Sequence, residues 1–175
     1  MRRMGNTPYE FIQNGNPDSI KGFKHRTIND VDMIYYIRAL KEVYESGSFG
    51  SLFSNDIESS LIEFRKIFFS LPHEKRSERH ISDVAKNSTA KRLNMFLRWM
   101  VRKDNIDFGL WCHIDKSNLY IPLDVHVESI SRKIGLLQRK TSDWKAVKEL
   151  TVNLREFDPS DPIKYDIALF SLDLT

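Results

Sequence analysis

Cysteine is almost missing from this chain. Of its 175 residues only Cys112 carries a thiol, so no disulfide can close within it and no cysteine cluster can hold zinc or iron–sulfur. A reducing cytoplasm is the expected compartment. The five histidines (His25, His73, His80, His113 and His126) show no HExxH pair or other metal-ligand spacing, so the sequence predicts neither a metal nor a cofactor. No window approaches eighteen uncharged apolar residues, which argues against a membrane span. Residues 1–6 lead into no apolar core of a secretory signal. Phosphate-cradling glycine loops and the GxSxG nucleophile elbow are also missing.

What is present is an ordinary globular balance, 41% hydrophobic and 29% charged, at a length that suits one domain over 1–175. Apolar positions recur with helical period almost throughout. Thr27 and Asp30 offer an N-cap for a helix reaching about Ser46, where Gly47-Ser48-Phe49-Gly50 breaks it. Asp56 or Ser54 opens a second helix through Ile57, Leu61, Phe64 and Phe68, closed by Leu71-Pro72. The polar stretch 72–87 reads as a surface loop, and Ser88 or Thr89 caps a third helix running to Val101. From Lys103 to Tyr120 there is no helical period, only an ordered connection. Three further helices follow. One is introduced by Pro122-Leu123-Asp124 and stopped by Gly135, one is capped by Ser142 and carries Trp144 to Phe157, and one is opened by Asp161-Pro162 and runs to Leu174. No strand pair is evident, and the expected class is all-α, a compact array of short helices.

Net charge is only +3, but it is unevenly spread. Between Arg65 and Lys103 there are eleven Lys or Arg against three acids, whereas from Thr141 onward four basic residues face seven acids. One face turned toward a polyanion such as DNA would account for this, as would an unevenly charged solvated surface. Lys91, Arg98 and Arg102 fall on one helical face, with Arg92 beside Lys91, and read either as a phosphate-binding stripe or as a plain exposed basic helix face. Trp99 and Trp111 are candidates for stacking on a flipped base, although large aromatics in a small helical domain more often build the core.

The segment Ile121-Pro122-Leu123-Asp124-Val125-His126-Val127, continued by Arg132, Lys133, Gly135 and Leu136, carries the most specific pattern. An Asp in that position has a plain structural role, accepting orphan amide hydrogens at a helix start. The pattern also resembles the segment that bears the essential aspartate of helix-hairpin-helix DNA glycosylases. The resemblance implies that Asp124 is a carboxylate stabilising positive charge at the anomeric carbon and that His126 is a structural residue of the same turn. It further implies that Arg132 and Lys133 lie toward DNA. These glycosylases place glycines, Gly-x-Gly followed by a Lys, in a hairpin before the aspartate; no Gly-x-Gly precedes Asp124 here. The best-placed lysine is Lys91, 33 positions upstream, a layout similar to the archaeal 8-oxoguanine glycosylase branch. That similarity implies Lys91 as the Schiff-base nucleophile.

A broader resemblance covers most of the chain. Lys91–Arg102, Gly109-Leu110-Trp111 and Asp158-Pro159 through Tyr165-Asp166 are similar to an uncharacterised bacterial family. Residues 7–12 resemble a segment that other members of that family place well inside the protein, and glycosylase folds carry helices before it. A natural short form and a truncated chain lacking N-terminal helices are both open on this reading. The implied activity is excision of a damaged base from DNA. Two alternatives stand beside it, a non-catalytic DNA- or RNA-binding module on the same scaffold and a protein-interaction domain.

Overall fold

The structure, a computed structural model, describes residues 4–5 and 7–172; Leu174, read above as part of the last helix, lies outside them. The described chain is mostly helical. Its α-helices are α1 (Pro8–Asn14), α2 (Asp30–Ser46), α3 (Ile57–Phe68), α4 (Lys91–Val101), α5 (Val125–Lys133), α6 (Trp144–Phe157) and α7 (Asp166–Leu172). Short 3-10 turns fill several connections. A small antiparallel pair that the sequence did not predict joins β1 (Lys24–His25) to β2 (Ile28–Asn29), with Lys24 opposite Asn29 and His25 opposite Ile28. Arg26 turns the chain there with φ 53°, a left-handed backbone without the Asn or Gly that usually announces one.

The chain divides into two compact units. One comprises the chain up to Leu52 together with Glu63–Ile81; the other comprises Phe53–Ile62 and the chain from Ser82 onward. In the first, Ile12, Ile20 and Ile37 form a small core covered by Phe11, Phe23 and Tyr44. Asn29, rather than Thr27, caps α2. Its side chain accepts from the N–H of Asp32 while the Asp32 carboxylate accepts from the N–H of Asn29, so two orphan amides are satisfied reciprocally. Asp32 is fully buried and also accepts from Ser77 Oγ at 2.6 Å, with Arg76 and His80 each 3.4 Å away. The stretch after Pro72 is therefore not a bare surface loop. It folds into a 3-10 turn, Lys75–His80, whose Ser77 is fully buried.

The second unit packs α4, α5, α6 and α7 around Leu97, Ile121, Leu123, Val127, Leu150 and Leu154, all at most 2% exposed. Asp56 caps α3 as expected, its carboxylate accepting from the N–H of Ser59. Asp143, the neighbour of the expected Ser142, caps α6 by accepting from the N–H of Ala146. Gly135 ends α5 with φ 80°, a left-handed conformation that glycine adopts at no steric cost. Asp161 makes no cap bond to the 3-10 turn Pro162–Tyr165 that leads into α7, because its carboxylate is engaged elsewhere.

Candidate functional site

The site is built at the start of α4. Neither Ser88 nor Thr89 caps this helix; the cap position is Ala90, fully buried and left-handed at φ 49°. Such a backbone costs an alanine about 1–2 kcal/mol, and Asn94 Nδ2 steadies the turn by donating to the Thr89 carbonyl at 3.2 Å. The first residue after this strained turn is Lys91.

Asp124 caps α5 as the sequence indicates. Its Oδ1 accepts from the N–H groups of His126 (3.0 Å) and Val127 (2.9 Å). Its second oxygen, Oδ2, lies 3.1 Å from Lys91 Nζ. The 33-residue separation is thus closed by the fold. Burial alone would raise the Asp124 carboxyl, but the Val127 N–H, the Lys91 ammonium and the His126 N–H outweigh it and hold the group below the ordinary carboxylate value.

Lys91 and Asp124 open on a cleft of about 270 Å³ whose walls are Met95, Pro122, Ile167 and Phe170, with Arg98 and Asp166 as its other charged members. That volume sits just below the usual small-molecule range of roughly 300–1,000 Å³. The His126 ring meets the Phe170 ring edge to face at 5.3 Å, which fits the structural role expected of it. The sequence assigns no site role to Met95, Pro122, Asp166 or Phe170, although the first three lie within the segments that carry the two resemblances. Met95 and Arg98 follow Lys91 at i+4 and i+7, a spacing that places them on its face. Nothing in the sequence linked α7 to that face.

The remaining expected site residues separate into groups. Arg98 and Arg102 are corrected: they are 7% and 8% exposed and do not form a solvent-facing phosphate stripe. Arg98 donates to Asp107 at 3.2 Å and to Asp166. Arg102 reaches Asp161 at 2.8 Å, Asp107 at 2.5 Å and Asp104 at 2.9 Å. The acids that neutralise this helix come from outside it. Arg92 and Lys133 are exposed. Arg132 is half-buried, paired with Glu128 at 2.6 Å and donating to the Arg139 carbonyl. Trp111 is partly buried in an aromatic cluster, stacked on Phe53 at 5.4 Å and edge-on to Phe96 at 5.5 Å, so it belongs to packing rather than to the cleft. Trp99 is partly buried and does not line the cleft either.

Part of the basic excess after Arg65 is also compensated locally. Arg65 is paired with Glu78 at 2.8 Å and donates to the Ile81 carbonyl, and Lys86 is 3.6 Å from Asp83. Among the described residues no group of three or more His, Cys, Asp or Glu side chains is arranged to hold a metal ion, and no helix is long and apolar enough to cross a membrane. No curated protein and no solved structure matches the sequence. The model of a family described as "Protein of unknown function (DUF2400)" matches residues 1–175, and the chain belongs to that family.

Proposed function

We propose that the protein is a glycosylase-like enzyme of DNA base excision, with Lys91 and Asp124 as its reacting groups. The observation that carries this reading is the 3.1 Å approach of Lys91 Nζ to Asp124 Oδ2 at an open cleft. A deoxynucleotide flipped out of the duplex, at a cost of a few kcal/mol, brings its sugar to this pair. Asp124 has one oxygen committed to the helix start and the other turned toward the cleft. As an anion it stabilises the positive charge that develops at the anomeric carbon when the bond to the base stretches. Lys91, after its ammonium releases a proton to water, adds its amine to that carbon. Ring opening then gives an imine between Lys91 and the sugar. The partly apolar walls formed by Met95, Pro122, Ile167 and Phe170 suit the flat body of a base. Arg92 and Lys133, both exposed, are the cations this reading assigns to phosphate.

Incubation with duplexes carrying 8-oxoguanine, uracil or an abasic site, followed by borohydride, tests the reading. A covalent adduct is expected with the wild type and none with Lys91→Ala. Binding to these duplexes with no adduct and no base release would favour a non-catalytic nucleic-acid-binding module, a reading that the missing Gly-x-Gly hairpin before Asp124 also favours. No binding even at low salt would refute both.

A further inference from the structure

The cleft contains a second carboxylate that the reaction above does not use. We propose that Asp166 is the acid of this cleft, donating its proton to the nitrogen that departs from the glycosidic carbon while Asp124 stays an anion. The assignment rests on the glycosylase reading and adds to it the source of the leaving group's proton.

Asp166 heads α7 and Asp124 heads α5, so two different elements deliver the two carboxylates to one cavity. Their surroundings differ in kind. The Asp124 carboxylate accepts two backbone N–H bonds and faces the Lys91 ammonium, three partners that all favour the anion. The Asp166 side chain is only 11% exposed, and its hydrogen-bonding partner is Arg98. The charge of that guanidinium is shared, because Arg98 Nε also donates to the fully buried Asp107.

The charged groups facing Asp166 are Arg98 and Lys91 from α4 and Asp124 from the start of α5, with Asp107 behind Arg98. The His126 ring makes its edge contact with Phe170, one turn further along α7. Burial is the largest influence on Asp166 and raises it. Arg98 and Lys91 oppose this, Asp124 adds to it, and the carboxyl is pushed up to about 6. Two carboxyl groups in one site, one driven down and one driven up, divide their roles: Asp124 stays an anion, and Asp166 carries the available proton at and below about pH 6.

The step balances. The carbon–nitrogen bond breaks with its electron pair moving to the base nitrogen, which takes the Asp166 proton. The positive charge left on the sugar is stabilised by Asp124 and captured by the amine of Lys91, whose ammonium gives up one proton to water as the new carbon–nitrogen bond forms. Asp166 is left as a carboxylate paired with Arg98 and regains its proton from water.

The test compares wild type and Asp166→Asn on two duplexes, one carrying 8-oxoguanine and one a preformed abasic site. Asn keeps the shape of Asp but has no acidic proton. General-acid catalysis is worth about 10²–10⁴-fold, so single-turnover base release is expected to fall by about 100-fold or more in D166N. Borohydride trapping on the abasic duplex should survive, because no base has to leave there. Wild-type release should decline about tenfold per pH unit above the Asp166 titration, with that limb missing in D166N and restored in D166E. Undiminished release by D166N with the wild-type pH slope would overturn the assignment, as would parallel loss of release and trapping. A wild type that neither releases base nor traps would remove the glycosylase reading itself, and the acid with it.

Discussion

Replacing Asp107 with alanine should destabilise the second unit strongly while leaving its outer surface charge almost untouched. Asp107 has no exposed side-chain surface and accepts from two guanidinium groups, Arg98 Nε at 3.2 Å and Arg102 Nη1 at 2.5 Å. Removing it leaves both cations buried with one carboxylate fewer, Asp166 for Arg98 and Asp161 with Asp104 for Arg102. Breaking a buried pair by deleting one partner costs about 3–5 kcal/mol, and the surviving partners place this change near 3. Domains have only about 5–15 kcal/mol in total, and at this size each kcal/mol moves Tm by roughly 2–4 °C, so a loss of about 6–12 °C is expected. Trp99, Trp111 and Trp144 all lie in the second unit, so tryptophan fluorescence during urea or thermal unfolding reads the right part of the molecule. A Tm within about 2 °C of wild type would refute the view that Asp107 anchors a buried network. So would an Arg98→Ala/Arg102→Ala double variant that stays folded and flattens the salt dependence of DNA binding, since that would put Arg98 and Arg102 back at the surface.

Asp124→Asn should keep its cap and change stability by about 1 kcal/mol or less, yet abolish base release; retained release would reduce Asp124 to a cap. Gly109→Ala should cost more than Gly135→Ala. Both glycines are left-handed, but a Cβ on Gly109 would come within 2.5 Å of Lys103 Cβ while one on Gly135 meets nothing within 4 Å; equal urea midpoints for the two would contradict the packing. Ala90→Gly, which removes the steric penalty of φ 49°, should leave stability unchanged or raise it by up to about 1 kcal/mol, and a clear loss in thermal unfolding would show that the methyl packing outweighs the backbone. In the first unit the Asp32 carboxyl is held below its ordinary value: burial raises it, but Ser77, Asn29, Arg76 and His80 prevail. A folded-state pKa below the unfolded one adds stability above the unfolded value and loses it as pH falls through the folded value. Asp32→Asn should therefore flatten the acid limb of stability below about pH 4, and an unchanged acid limb would count against the network around it.

Helical periodicity made the α-helices legible, because apolar spacing is a local property of the chain. The same holds for Asp124 as a cap. A carboxylate after Pro122-Leu123 has its two amide donors within three residues, so that interaction needs no tertiary partner. The helix starts at Asn29 and Asp143 were missed by one or two residues, since several neighbouring polar side chains compete for such positions. The β1–β2 pair was invisible because its turn runs through Arg26 with no glycine or asparagine to mark it.

Charge was where sequence misled. Arg98 and Arg102 look like a free basic stripe because α4 contains no acid, but their partners lie 9, 59 and 68 positions along the chain, at Asp107, Asp161 and Asp166. Burying a guanidinium demands such partners, and only folding decides which carboxylates arrive. The meeting of Lys91 with Asp124 and the choice of Asp166 as their neighbour belong to the same class. Residue types along the chain determined the helices and the cap. The second unit's packing of α4, α5 and α7 decided which charges face water, which face each other and which face the cleft, because long-range Coulomb partners and desolvation depend on distances that no local pattern encodes.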